Sequence, residues 1–163
     1  FSTTFSQAFR VSQDRGQGMI IHGGRQWRDY RVETALTAHL AEHIGVGVRV
    51  QGLRRFYAVL LERPDKLLLV RVRDGETTLL AETAFPWSFE MPHLFVVEAD
   101  GRTISAAVDG VRLSARDDSE EALANGGAAI IIQGGAVSTD EVIVGPIQGS
   151  LGQPAASVTA ARS

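Results

Sequence analysis

The chain contains no cysteine, which removes disulfides, thiolate nucleophiles and cysteine metal sites together. A domain with a sizeable core needs no disulfide, so the cellular compartment stays open. No run of about 20 apolar residues offers a membrane-spanning helix, and no charged start followed by an apolar centre marks a signal peptide. Membrane insertion is therefore not expected. Beginning at Phe1, the chain reads as a mature product or as a domain cut from a longer protein. The formal net charge of -3 supplies no general attraction to nucleic acid, so no nucleic-acid partner is expected. Proline is scarce at 5 residues while glycine numbers 17, a balance that suits a turn-rich sheet protein.

At 163 residues the chain has room for one domain with one core. Its clearest stretch is Leu94 to Ala115, where three short apolar runs are separated by Asp100-Gly101 and Asp109-Gly110. Each pair suits a type I′ turn or a related glycine turn, so the stretch predicts a three-stranded meander. Ile104, Ala106 and Val108 share its buried face by the period of two. Upstream, Tyr30, Val32, Thr34, Leu36 and Ala38 alternate with polar residues in a long half-buried strand. IGVGVRVQ at 44–51 places Val46, Val48 and Val50 on one face against Gly47, Arg49 and Gln51. FYAVLLER, LLLVRVR and TTLLAET follow as strands joined by short links, which favours antiparallel pairing.

Other stretches are less regular. Phe5 to Val11 and Gln17 to His22 read as two short strands with a turn at Asp14 to Gly16, and Phe85 to His93 as a packed connection. Arg116 to Asn125 suits a short helical turn or a polar excursion. Gly126 to Gln133 and Val137 to Val144 read as two closing strands split at Gly134-Gly135. The expected domain spans residues 1–146, and the small, polar segment 147–163 reads as a flexible tail or linker. About a dozen strands without a strong helix predict an all-β, two-sheet antiparallel jelly-roll sandwich.

Chemistry is sparse. The glycine-rich pieces lack the lysine and hydroxyl of a phosphate loop. His22, His39, His43 and His93 are scattered and lack a third ligand, so no metal site is assigned. A structural calcium ion is the one cofactor left open, with Asp14, Asp117, Asp118 and Asp140 available, although solvated turn carboxylates are the better reading. Glu33, Glu62, Glu82, Glu98 and Glu141 sit on or beside strands without forming a glycosidase pair. No serine occupies a nucleophile elbow, and no catalytic residue is assigned. The most informative set is basic and aromatic. Arg49, Gln51, Arg71 and Arg73 alternate with valines, and neighbouring strands would gather them on one open sheet face. Tyr57 and Trp87 would add flat apolar surfaces on which a sugar could stack.

The succession WRDYRVETAL, IGVGVRVQGLRRFYAVLLE, LLLVRVRDGETTLLAE, FPWSFEMPHLFVVEADGRTISAAVDGVRL and GGAAIIIQGGAVSTDEVIVGP resembles the concanavalin A-like lectin/glucanase superfamily. Within it the likeness is to laminin-G-like and bacterial sugar-hydrolase-related jelly-roll domains. The resemblance implies a carbohydrate-binding role, with glycosidase activity in some branches whose acidic motif is missing here. The chain also resembles appendages of bacterial ADP-ribosylglycohydrolase-like proteins. Arg49 and Tyr57 match the places where such domains present polar and aromatic side chains. The expected clustering together with the resemblance points to a non-catalytic carbohydrate-binding or accessory module of a larger bacterial protein, with ligand residues Arg49, Gln51, Tyr57, Arg71, Arg73 and Trp87. The alternatives are a structural domain packed on a parent-protein enzyme domain and a diverged glycoside hydrolase.

Overall fold

A computed structural model describes residues 3–5, 9–139, 141–147 and Leu151. The expected tail at 147–163 thus lies outside the described residues, apart from Ile147 and Leu151. Twelve strands and no helix make up the described chain. They are β1 (Thr3–Phe5), β2 (Phe9–His22), β3 (Tyr30–His39), β4 (His43–Gly52), β5 (Arg55–Glu62) and β6 (Lys66–Arg73). β7 (Glu76–Ala84), β8 (Pro92–Asp100), β9 (Thr103–Val108), β10 (Val111–Arg116), β11 (Gly127–Thr139) and β12 (Val142–Gly145) complete them.

The hydrogen-bonded order is β10-β9-β8-β3-β11-β4-β5-β6-β7, with every pair antiparallel. β11 belongs to both layers. Its first half, Gly127 to Gln133, pairs with β4, and Ala136 to Ser138 pair with β3. Between them Gly134 and Gly135 take φ of 63° and 80°, a left-handed conformation that glycine adopts without steric cost. The expected break at Gly134-Gly135 is therefore a bulge within one strand. β2 follows β11 on its other side as one strand from Phe9 to His22, so the turn expected at Asp14 to Gly16 is absent. The pairing partner there overrides the local turn signal.

Hairpin chemistry follows the sequence. Asp74-Gly75 and Asp109-Gly110 both have positive φ at both positions, 55° and 83° for the first and 49° and 84° for the second. These are the dihedral signs of type I′ turns, whose twist matches that of the strands. Asp100 pairs with Thr103, which makes Gly101-Arg102 the loop. Gly101 alone takes positive φ there, 59°, as a type II′ turn requires.

The main core lies between the layers. Val32 and Leu36 of β3, Val97 of β8 and Ile104 of β9 meet Val46 of β4 and Leu69 of β6, all fully enclosed. A second apolar cluster lies on the opposite face of β11, β4, β5 and β6 and includes Phe56, Ala58, Leu60 and Ile131. There Gly45 allows close packing, since a Cβ would sit 2.0 Å from the Val59 carbonyl oxygen. Val50 belongs to this second cluster and not to the face of Val46 and Val48. The reason is a bulge after Val48, where Arg49 takes φ of 51° and the alternation shifts by one.

Tyr30 anchors that bulge from below. Its hydroxyl accepts the Arg49 N–H at 2.6 Å and stands 2.8 and 2.9 Å from the carbonyl oxygens of Gly126 and Gly127, between which it shares its one proton. Burial is the largest influence on this phenol and holds its pKa far above the ordinary value. Tyr30→Phe leaves the Arg49 N–H enclosed without an acceptor, a loss of about 1–3 kcal/mol. Urea denaturation at unchanged m-value would read it, and an unaltered midpoint would mean the bulge does not depend on Tyr30.

Candidate functional site

Five of the six residues singled out in the sequence converge on one segment, the connection Asp117 to Asn125 between β10 and β11. Tyr57 and Arg71 are paired neighbours on β5 and β6. The Tyr57 hydroxyl donates to Asp117 Oδ2 at 2.7 Å and accepts the Leu123 N–H at 3.0 Å. Arg71 Nη1 donates to the same Oδ2 at 2.9 Å and to Ser119 Oγ at 3.1 Å. Ser119 closes the knot by donating from Oγ and from its backbone N–H to Asp117 Oδ1, at 2.6 and 3.1 Å. Gln51 Nε2 holds the carbonyl and side-chain oxygens of Asn125 at 3.0 and 2.9 Å, and Arg73 donates to the Glu121 carbonyl at 3.2 Å.

Arg49 is the fifth, and it is buried at 2% exposure. Its Nε donates to the Arg28 carbonyl at 3.0 Å, Nη1 to the carbonyls of Leu123 at 3.2 Å and of Gly101, and Nη2 to Asp29 Oδ1 at 2.9 Å. One guanidinium thus joins the stretch before β3, the β8–β9 turn and the Asp117–Asn125 connection. Gly126, just beyond, approaches the bulge so closely that a Cβ would lie 2.4 Å from the Arg49 carbonyl carbon. The expected open sheet face is therefore the end of the inner face, covered by the connection that these side chains hold.

Electrostatics explains why the polar knot survives burial. Burial alone would raise the Asp117 carboxyl, yet hydrogen bonds from Ser119, Tyr57 and Arg71 outweigh it and hold the group down at about 2. Tyr57 is pushed up to about 12, first by burial and then by its bond to Asp117. The pair is thus a charged carboxylate and a neutral phenol across the ordinary pH range.

Two hollows flank the connection. A cavity of about 320 Å³ is lined by Arg28, Asp29, Arg49, Gly101, Arg102 and the run Ala122, Leu123 and Ala124. On the other side a hollow of about 280 Å³ is lined by Arg71, Arg73, Asp74, Glu76, Thr78 and Glu121. Arg102 steadies the first by donating to the carbonyls of Asp117 and Ser119 at 3.0 and 3.2 Å. Trp87 is not among these groups. Its Nε1 donates to the Glu62 carbonyl at 3.0 Å, and its ring meets Phe89 and His93 edge-on.

The remaining sequence candidates are dispersed. Asp118 pairs with Arg116 at 2.8 Å, Asp14 lies within β2, and Asp140 is outside the described residues. Among the described residues no group of three or more metal-ligating side chains gathers. Glu33 and Glu98 share Arg31, at 3.3 and 3.6 Å. Sequence reasoning missed one chain of groups, in which Ser138 Oγ lies 2.9 Å from His39 Nε2 and Glu90 Oε2 lies 2.6 Å from His39 Nδ1. Hydroxyl, imidazole and carboxylate stand in the order of a triad. Ser138, however, is in a strand paired on both sides, with Arg10 and Thr37, and lacks the sharp turn that presents a nucleophile.

The carbohydrate-binding module CBM66 of Bacillus subtilis superposes with a TM-score of 0.74 at 14% identity, covering 88% of this chain and 94% of that one. The fold is an all-β, antiparallel jelly roll of the kind that module has. The galectin LEC-6 of Caenorhabditis elegans shares it at a TM-score of 0.60 and 13% identity, covering 86% of this chain and 96% of that one. The GH43 protein BlXynB of Bacillus licheniformis matches at 0.63 and 10% identity over 86% of this chain, which spans 33% of that protein. In sequence, 63 residues are 32% identical to an adenosine deaminase of Vibrio atlanticus, covering 39% of this chain and 19% of that protein. No family model matches the chain. These findings do not support the likeness to ADP-ribosylglycohydrolase appendages. Among the described residues no helix is long and apolar enough to cross a membrane.

Proposed function

We propose that this chain is a carbohydrate-binding domain whose site is the cavity between Arg49 and the Asp117–Asn125 connection. The observation that carries the proposal is the construction of that cavity. Its volume of about 320 Å³ falls at the lower end of the roughly 300–1,000 Å³ typical of ligand pockets. Its walls are fixed before any ligand arrives, because Arg49 holds the Gly101 and Leu123 backbones and Arg102 holds Asp117 and Ser119. Preorganisation of this kind reduces the ordering cost of binding. Polar groups of Arg28, Asp29 and Arg102 face an apolar side of Ala122, Leu123 and Ala124, a combination suited to a sugar's hydroxyl edge and C–H face.

In this reading Arg49 forms the wall, while Gln51, Tyr57, Arg71 and Arg73 act through the connection they hold. Trp87 serves packing elsewhere. The domain binds sugar without altering it, needs no cofactor, and serves as an accessory module of a longer bacterial protein. The GH43 match, in which a domain of this shape is a third of the chain, supports that last point.

Ala124→Trp tests the site, because Ala124 is exposed on the cavity wall and its side chain takes no part in the knot. On a broad glycan panel, with calcium and with chelator, the wild type is expected to bind a subset of sugars. The variant is expected to lose that binding by more than about tenfold, or about 1.4 kcal/mol, at unchanged melting temperature. Binding that survives the bulky side chain would move the site elsewhere. Absence of binding across the panel would favour a domain that packs on its parent protein.

A further inference from the structure

The charges lining this cavity do not cancel. Asp29 is its one carboxylate, and that group already accepts from Arg49 Nη2 at 2.9 Å and from the Gly101 N–H at 3.0 Å. Arg102 spends Nη1 on two neutral carbonyls. Among the described residues, neither Arg28 nor Arg102 forms an ion pair, and the Arg28 guanidinium makes no hydrogen bond. Two guanidiniums therefore stand unanswered at one partly enclosed cavity in a chain whose formal net charge is -3.

We propose that the sugar taken here is acidic and carries a carboxylate that Arg28 and Arg102 bind. This rests on the carbohydrate-binding reading above and names the class of ligand. A guanidinium meets a carboxylate with two parallel N–H···O bonds, stronger than bonds to a neutral hydroxyl. The apolar wall of Ala122, Leu123 and Ala124 excludes water on one side and strengthens the local field. Arg49 contributes differently, since its charge is met by Asp29 and its Nε and Nη1 donate to backbone carbonyls. A sulfate ester presents similar anionic oxygens on a sugar. The planar fork and the confined space favour the carboxylate.

The test is a panel in which each uronate-ended oligosaccharide is printed beside its methyl ester, its neutral hexose counterpart and an O-sulfated form. Affinities of the bound members are then measured by calorimetry for the wild type and Arg28→Gln. The uronates are expected to bind at least about tenfold more tightly than their esters, with a preference that shrinks as salt rises. Arg28→Gln is expected to abolish that preference at unchanged melting temperature, because among the described residues no hydrogen bond depends on the Arg28 side chain. Equal binding of esters and acids would overturn the acidic-sugar assignment while leaving the carbohydrate reading intact. Binding of sulfated members with the uronates ignored would overturn the carboxylate. No binding by any member would overturn both.

Discussion

Asp117→Ala is expected to lower the stability of the domain by about 3 kcal/mol, the low end of the cost of stranding one partner of a buried ion pair. The low end applies because Arg71 keeps Ser119 Oγ and Thr78 Oγ1 within hydrogen-bond reach, at 3.1 and 3.3 Å. Arg71 is 9% exposed and Asp117 4%, so water does not readily replace the lost carboxylate. In a chain of this length the melting temperature should fall by roughly 10 °C. Adding Arg71→Met should restore part of the loss, since no buried charge then lacks a partner. A double variant less stable than the single one would contradict this account.

The same variant should change the response to acid. Asp117 has a folded pKa of about 2 against an ordinary value of 3.8. Its contribution is fully present above the unfolded value and disappears as pH falls through the folded one, amounting to about 2 kcal/mol between pH 4 and pH 2. Wild-type stability should therefore decline more steeply over that window than the stability of Asp117→Ala. Parallel acid limbs in denaturant titrations would show that the carboxylate titrates alike in both states.

Arg49→Met should be comparably damaging, at about 3 kcal/mol, but through a different consequence. The substitution keeps much of the side-chain volume while removing every donor to Arg28, Gly101, Leu123 and Asp29. Three separate backbone segments then lose their common tie. Amide exchange should accelerate at Gly101 and Leu123, whose N–H groups are held by Asp29 and Tyr57, before it does so in β3 or β8. Arg49→Lys should rescue little, because a single ammonium cannot reach acceptors arrayed along three edges of a planar guanidinium. Full stability in the lysine variant would mean that charge alone, without the fork, holds the end of the sandwich.

Much of this architecture was legible in the sequence. The Asp-Gly pairs carried the hairpins because their φ requirements are local, and the alternation in Tyr30 to Ala38 carried β3 because one face is buried. Local rules failed where a partner strand decides the outcome, as in the unbroken β2 and the continuous β11. They failed also at Arg49, where a left-handed bulge moves Val50 to the other face. The gathering of Arg49, Gln51, Tyr57, Arg71 and Arg73 could be anticipated from neighbouring strands. What covers them could not, because the bonds to Asp117–Asn125 span 46 to 74 residues of sequence. Arg28 and Arg102 carry no sequence signal of their own, since each lies in an irregular or turn segment and gains meaning only beside the cavity.

Along the Asp117–Asn125 connection, the residues that grip the scaffold are Asp117, Ser119, Glu121 through its carbonyl, Leu123 and Asn125. Between them stand Asp118, which pairs with Arg116 of β10, and Glu120, Ala122 and Ala124, whose side chains make no hydrogen bond among the described residues. Such a strap can change its outward residues while its fastenings stay in place. Selection, or a mutagenesis library confined to Ala122 and Ala124, could retune what the cavity recognises without drawing on the stability of the sandwich.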